Sequence, residues 1–242
     1  MTVLQDAIKI RRSRRKYIPE LPEPAFLEKL QALAEEYNAR GKLDIRLAVN
    51  NGGAFAGLRK SYGMFSGVRN YLGLIGNRND PVYIEKLGYY GELLVLHATA
   101  FGLGACWVGG TFDRASCPFE LAEGQSIICA ITFGKTAREL SAKEKLIYRL
   151  THRKSKTVEQ MYTSDGPVPE WFLRGMEAAR LAPSAVNRQP VMFAYNDGTV
   201  TASVKDISSE SVALDLGIAK LHFELGADGG AWAFGNGAAF AR

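Results

Sequence analysis

Apolar residues recur at helical spacing along several stretches of the chain. Leu4, Ala7, Ile8 and Ile10 fall on one side of a helix predicted over residues 4–16. Pro19, Pro22 and Pro24 break the chain after it, and Phe26, Leu27, Leu30, Leu33 and Ala34 predict a second amphipathic helix over 25–38. Residues 70–76, Asn-Tyr-Leu-Gly-Leu-Ile-Gly, read as a short apolar strand ending in turn residues. A hydrophobic helix runs from Gly91 to Phe101 and is stopped by Gly102-Leu103-Gly104, with Ala105-Cys106-Trp107-Val108-Gly109-Gly110 following. Residues 126–134 form a near-continuous apolar run, the pattern of a strand covered on both faces. Residues 135–165 are polar and basic and read as an exposed connector.

Beyond the connector the order of elements begins again. A helix is expected over 170–181 behind Pro167 and Pro169. Two strands follow around 191–195 and 199–204, joined by the hairpin signal Asn196-Asp197-Gly198. A helix over 209–225 carries Val212, Leu216, Ala219 and Phe223 on one face and is stopped by Gly226; Gly229-Gly230 reads as a turn. The two halves correspond: Arg11-Arg12-Ser13 with Arg153-Lys154-Ser155, Pro24 and its helix with Pro169 and its helix, and helix 91–101 with helix 209–225, each followed by glycine, alanine and a tryptophan (Trp107, Trp232). This repetition predicts an internal duplication, with one unit at 1–150 and a shorter, degenerate one at 151–242. Strands and helices mixed in this order make the fold α+β.

Composition narrows the setting. Of 242 residues, 47% are hydrophobic and 23% charged, as in an ordinary soluble globular protein. No apolar run approaches the roughly 18 residues of a membrane span, and the N-terminus lacks the apolar core and cleavage site of a secretory signal, so a cytoplasmic protein is expected. Cys106, Cys117 and Cys129 match no disulfide or zinc framework and read as free thiols; His97, His152 and His222 are isolated, so no metal site is expected. The net charge of +5 is modest, and no basic run is interleaved with aromatics as nucleic-acid binding would need.

Two segments carry candidate chemistry. Arg11-Arg12-Ser13-Arg14-Arg15 places four guanidinium groups and a hydroxyl within five residues. Complementing a helix C-terminus needs one or two such charges, not four, and their mutual repulsion points to an anionic partner, with phosphate fitting best. Ala182-Pro183-Ser184-Ala185-Val186-Asn187-Arg188-Gln189-Pro190 offers backbone N–H, hydroxyl and carboxamide groups to the edge of a flat heterocycle. Together they suggest a nucleotide-like cofactor. Lys135 and Arg138, just past the late strand, are further phosphate candidates, and the glycine-rich stretch 52–63, with Phe55 and Tyr62, reads either as a mobile cover or as an ordinary surface loop. Glu92 and His97 stand inside the hydrophobic helix; Trp171 and Phe172 read as core.

The helix ending in Arg11-Arg12-Ser13-x-Arg15, the segment Ala182-Pro183-Ser184-x-x-Asn187-x-Gln189-Pro190, the Gly-Leu-Gly-Ala-Cys-Trp-Val-Gly stretch and Phe133-Gly134-Lys135 resemble the nitroreductase family of flavin enzymes. The resemblance implies FMN as cofactor, with Arg11, Arg12 and Arg15 neutralising its phosphate and Ser13 donating a hydrogen bond. It also implies Pro183, Ser184, Ala185, Asn187 and Gln189 along the ring or ribityl chain, Trp107, Val108 and Gly109 approaching the flavin, and Lys135 and Arg138 near the phosphate. No side chain is then needed as acid, base or nucleophile, because flavin N5 is the reactive atom. The implied reaction is a ping-pong transfer of hydride from NAD(P)H to the flavin and on to a small electron acceptor.

The chain departs from the family pattern in one respect. Relatives carry both motifs in one unit and bind flavin at a homodimer interface, whereas here Tyr37-Asn38 stand where the first half would have Ala-Pro-Ser, and the second half has only Arg153-Lys154-Ser155. Complementary loss implies two fused units packed as a pseudo-dimer around a shared core, monomeric, with one complete flavin site. A non-catalytic FMN-binding protein, or a phosphate module without flavin, would carry the same motifs.

Overall fold

The computed structural model describes residues 2–57, 61, 63–151 and 154–242. In chain order the elements are α1 (Val3–Ile10), α2 (Pro24–Gly41), β1 (Asp44–Ala48), β2 (Asn70–Gly76), α3 (Pro81–Ala100), β3 (Gly104–Val108), β4 (Ser126–Gly134), α4 (Ala142–Thr151), β5 (Tyr162–Ser164), α5 (Glu170–Arg180), β6 (Met192–Asn196), β7 (Thr199–Ser203), α6 (Glu210–Ala227), β8 (Ala231–Trp232) and β9 (Ala239–Ala241). The fold is α+β. One sheet has the order β1-β2-β4-β3, all antiparallel. The other has the order β5-β6-β7-β9-β8, with only β5 parallel to its neighbour. Apart from β5, both sheets follow one plan: a hairpin, a long helix, then two strands that pair with each other and dock on the second strand of the hairpin.

The chain divides into two compact units that are discontinuous in sequence. One comprises residues 10–78 and 94–151, the other residues 1–9, 79–93 and 152–242. The division therefore differs from a single cut near residue 150, because the first half of α3 belongs with the C-terminal elements.

In the first of these units, β2 and β4 are almost wholly buried, as their unbroken apolar runs predict. Pro24 opens α2, where its missing N–H costs nothing. Tyr37 and Asn38 serve the fold: the Asn38 carboxamide exchanges two hydrogen bonds of 2.8 Å with the backbone of Ile45, tying α2 to β1. Residues 135–165 are not simply an exposed connector, since they contain α4, β5 and the buried Glu144. The signal for α4 is Ser141-Ala142-Lys143-Glu144, a capping box in which Ser141 N donates to Glu144 Oε2 (2.9 Å) and Glu144 N to Ser141 Oγ (3.2 Å).

In the second unit α6 is the central helix. Sequence spacing predicts one apolar face, but every residue from Ala213 to Phe223 is buried, as a helix surrounded on all sides requires. A Cβ on Gly88 of α3 would strike the backbone of Leu214, and one on Gly217 would strike the backbone of Glu85, so here the two helices touch backbone to backbone. α3 begins ten residues before Gly91 because Asp80 caps it, accepting from Tyr83 N at 2.9 Å, and Pro81 occupies its first position. α6 does not stop at Gly226, which lies against Ala178 and Arg174 of α5; it stops at Asp228, in left-handed conformation at φ 61°.

Close crossing forces polar side chains on the two helices to pair in the dry. Lys220 is fully buried; its ammonium donates to Glu85 Oε1 (2.6 Å), Gly235 O (2.9 Å) and Ala233 O (3.1 Å), and lies over the Trp232 ring. Burial lowers the Lys220 pKa, and Glu85 opposes that shift. Glu85 Oε2 accepts from Gly235 N at 2.8 Å, so both charges are fully bonded. One and two turns along, Glu224 accepts from Tyr89 (2.8 Å), and His222 spans Ala178 O (3.1 Å) and Glu92 Oε1 (3.0 Å). Glu92 thus serves the core. His97, half-buried, meets the Tyr37 hydroxyl at 3.0 Å. Phe172 is core, and Trp171 packs on Phe172, Tyr195 and Phe223.

Replacing Lys220 by Met leaves the Glu85 carboxylate buried and uncompensated, and the expected loss of stability is about 3–5 kcal/mol. A urea denaturation midpoint measures it. Adding Glu85→Leu should recover much of the loss; a double variant no better than Lys220→Met would show that the pair is not coupled.

Candidate functional site

The arginine segment is extended, not helical: α1 ends at Ile10, and Ser13 and Lys16 form isolated bridges, with Ala105 of β3 and with Ser66. Ser13 bridges Ala105 of β3, Arg14 N donates to Ala105 O (2.9 Å), Ser66 N to Arg15 O (3.0 Å), and Tyr17 N to Ser66 O (2.9 Å). Electrostatics explains the failure of the helix expected over 4–16. On a helix Arg11 would face Arg14 and Arg15, and Arg12 would face Lys16, all like-charge pairs at three- and four-residue spacing. Extended backbone instead sends successive side chains to opposite sides.

Alternation sorts the cluster into two groups. Arg11, Ser13 and Arg15 gather around the Cys106 thiol on β3: burial raises the Cys106 pKa, while the charge of Arg15, a hydrogen bond with Ser13 and the charge of Arg11 oppose the rise. Arg12 and Arg14 belong to a different groove of about 520 Å³, which they line together with Arg138. Of the phosphate candidates, then, Arg11, Ser13 and Arg15 converge, whereas Arg12 and Arg138 do not join them. Lys135 is half-buried, forms a 3.4 Å ion pair with Glu20, and accepts from Ile18 N through its carbonyl (2.9 Å).

A buried carboxylate holds this segment. Glu144 Oε1 accepts from Arg15 N (2.8 Å), Lys16 N (3.2 Å) and Arg14 Nε (3.2 Å), and Oε2 from Ser141 Oγ (2.9 Å). Burial alone would raise its pKa, but the backbone N–H groups of Arg15, Ser141 and Lys16 and the Ser141 hydroxyl overcome that and bring it down to about 2. Arg14 is equally saturated, donating to Thr136 Oγ1 (2.9 Å), Ala137 O (2.8 Å) and Glu139 O (3.2 Å). Arg14 and Glu144 are thus the frame of the segment, a role that spacing alone does not reveal.

On β3, Val108 is buried in an apolar cluster with Cys106, Phe55 and Tyr71, while Trp107 is partly exposed; Gly109, just past the strand, is open. Phe55 stacks on Phe112 inside that cluster and is only 3% exposed, so it covers no open face. Tyr62 lies outside the described residues.

The Ala-Pro-Ser segment leaves α5 and forms a tight loop in the second unit. Three residues take left-handed backbone: Val186 (φ 46°), Asn187 (φ 53°) and Gln189 (φ 46°). For a β-branched residue such as Val186 this is strained, and strain of this kind persists where surrounding bonds dictate the shape. Those bonds are present. Gln189 N donates to Ser184 Oγ (2.9 Å), Gln189 Nε2 to Arg180 O (2.9 Å), and Lys156 N to Gln189 Oε1 (2.8 Å), while Lys156 Nζ binds Gln189 O (2.8 Å). Asn187 Nδ2 donates to Ser155 Oγ at 3.3 Å, which braces this loop; Arg153 lies outside the described residues. Gln189 is 4% exposed and is a staple of the loop, not part of its surface. Pro183, Ser184, Ala185 and Asn187 are partly exposed, and the Ser184 hydroxyl hydrogen remains available to donate.

Underneath sits Asp215, 5% exposed, with both carboxylate oxygens on Ala185 N at 3.1 and 3.2 Å. Burial pushes its pKa up to about 7, against the Ala185 N–H and the charge of Arg188. The clue in the sequence is a lone carboxylate inside the apolar run 212–219. Among the described residues no group of His, Cys, Asp or Glu is placed to hold a metal ion, and no helix is long and apolar enough to cross a membrane.

The crystal structure of a protein from Thermotoga maritima, described as a "putative nitroreductase", is similar in fold: TM-score 0.64, 21% identity, 99% of this chain and 92% of that one. An FMN-dependent nitroreductase from Clostridium difficile aligns at TM-score 0.44 and 19% identity over 61% of this chain and 96% of its own. A nitroreductase with bound FMN from Bacteroides fragilis aligns at TM-score 0.44 and 15% identity, over 70% and 98%. No curated protein matches the sequence. Residues 3–227 match the family described as "Putative TM nitroreductase", and the chain, with its α+β fold of two like-ordered sheets, belongs to that family.

Proposed function

We propose that this protein is an FMN-dependent NAD(P)H oxidoreductase of nitroreductase type that reduces a small electron acceptor. The observation that carries the reading is that Arg11, Ser13 and Arg15 share the Cys106 side of one extended segment beside β3, in a chain of this family. Two guanidinium groups and a hydroxyl on extended backbone are the donor set for a phosphate dianion, so the residues present fit FMN. Bound FMN would supply a two-electron carrier, accepting hydride at N5 from the nicotinamide and passing electrons to the acceptor.

The protein's own part is binding and orientation. Arg11 and Arg15 neutralise the phosphate, Ser13 donates to it, and Trp107 on β3 and Gly109 just past it follow along the chain. The 183–189 loop, stiffened by Gln189 and seated on Asp215, offers Pro183, the Ser184 hydroxyl, the Ala185 backbone and Asn187 as a surface suited to the polar edge of a flat ring. Shared strand order in the two sheets supports a fused duplication, in which Ser155 and Asn38, once equivalents of binding residues, have become braces of the fold.

A visible spectrum of the purified protein, with released flavin quantified, should give about one FMN per chain. Anaerobic NADH or NADPH should bleach it; a bound but unreducible flavin would leave a carrier or sensor, and a protein that takes up no added FMN would end the proposal. Arg15→Ala should weaken FMN by one to two orders of magnitude, about 1.5–3 kcal/mol.

Glu144 makes the phosphate half acid-sensitive. Its folded pKa of about 2 lies below the ordinary 4.5, so its contribution is complete above about pH 4.5 and is lost as pH falls through about 2. Glu144→Gln should destabilise the protein at pH 7 and flatten this acid limb in denaturation midpoints between pH 5 and 2. An unchanged limb would assign the acid loss to other groups.

Asp215 acts with the opposite sign. Its folded pKa of about 7 lies above the ordinary 3.8, so its contribution is complete below about pH 3.8 and lost as pH rises through 7. Asp215→Asn, which keeps an acceptor for Ala185 N, should be more stable than the parent at pH 8 and no more stable at pH 4. Equal midpoints at pH 8 would refute the buried charge.

A further inference from the structure

The groove that takes up Arg12 and Arg138 is lined also by Ile10, Leu103, Thr136 and Lys145, and Glu139 is the one acid on its wall among the described residues. Arg12, Arg138 and Lys145 all line this space, are exposed, and have no hydrogen-bond or ion-pair partner for their side chains among the described residues. Each is held next to the Arg14–Glu144 frame. Arg12 stands two residues before Arg14, on the same side of the extended segment. Arg138 lies between Ala137 and Glu139, whose carbonyls both accept from the Arg14 guanidinium. Lys145 follows Glu144 on α4. Gly104 completes the arrangement, since a Cβ there would collide with the Arg14 side chain and push it off its partners.

Three unpartnered cations beside an internally saturated frame repel one another, and Glu139 is the single counter-charge that the described residues bring to the groove. Their backbone positions are already determined, so an anion entering the groove would find the charges in place and little ordering cost. Ile10, Leu103 and Leu140 add an apolar wall. A volume of about 520 Å³ is within the range of sites for small organic ligands, well beyond a lone phosphate. We infer that this groove is a second anion-binding site, distinct from the Arg11–Ser13–Arg15 cluster, and that it takes a nucleotide: phosphate on Arg12, Arg138 and Lys145, base against the apolar wall. The nucleotide reductant proposed above has this chemistry, although the inference does not rest on it.

Calorimetric titration of the full chain, preincubated with excess FMN, tests it with ADP, inorganic pyrophosphate and adenosine as probes. ADP should bind, pyrophosphate more weakly, adenosine not measurably, and added salt should weaken ADP as expected for exposed cations. Arg12→Ala and Arg138→Ala should each reduce ADP affinity about tenfold or more, and Lys145→Ala should do so to a smaller degree. These side chains are exposed, so the variants should fold like the parent, which thermal melts check. Absence of ADP binding, affinity unchanged in the Arg12→Ala/Arg138→Ala double variant, or pyrophosphate binding as tightly as ADP would overturn the assignment. Loss of ADP binding with Arg15→Ala but not Arg138→Ala would overturn it too, by placing the nucleotide in the other cluster. Failure to bind FMN at all would remove the oxidoreductase reading while leaving this titration decisive.

Discussion

The backbone contact between α3 and α6, made possible by Gly88 and Gly217, is the constraint on which the second unit depends. Helices this close leave no room for solvent or large side chains at the crossing, so whatever polar groups flank it must satisfy one another. Glu85 with Lys220, Glu92 with His222 and Tyr89 with Glu224 do so. Isolated buried ion pairs seldom add net stability. Their value here is register: sliding α3 along α6 by one residue would leave two carboxylates and an ammonium buried without partners. Lys220 also gathers the Ala233 and Gly235 carbonyls, so the same pair orders the approach to β8 and β9.

A similar economy governs the arginine segment in the other unit. Four arginines within five residues disfavour a helix through their like-charge pairs, and the extended conformation they adopt needs its backbone held from outside. Glu144 does this with one oxygen on two successive N–H groups, and Arg14 ties the same carboxylate to the 136–139 loop. One arginine of the cluster is thereby consumed as structure, and the remaining charges are divided between two sides. Cationic residues that look like one motif in the sequence become two sets with different surroundings.

Much of the architecture was legible in advance. The extents of α2, α5, β2 and β4 and the β6–β7 hairpin follow from period, proline and turn residues, all of which act within a few positions. Local signals also set two features that average polarity hides. Asp80-Pro81 is a helix start that lengthens α3, and Ser141-x-x-Glu144 is a capping box hidden in a stretch that is polar on average. β1 is inconspicuous in the sequence because Asp44-Ile-Arg-Leu-Ala is short and half polar, and its pairing with β2 supplies what its own pattern lacks.

The sequence by itself determined the class of each long element, the repeated order of elements in the two halves, and the two polar segments that draw attention to a phosphate and a flat ring. These are properties of neighbouring residues, carried by spacing and by the intrinsic preferences of proline, glycine and charge. Only the tertiary structure decided that Arg11, Ser13 and Arg15 meet while Arg12 and Arg138 turn elsewhere, that Gln189 and Phe55 face inward, and that Glu144 and Asp215 hold the two segments. Those outcomes depend on partners tens of residues away, because burial and hydrogen bonding are set by what packs against a residue and not by what precedes it.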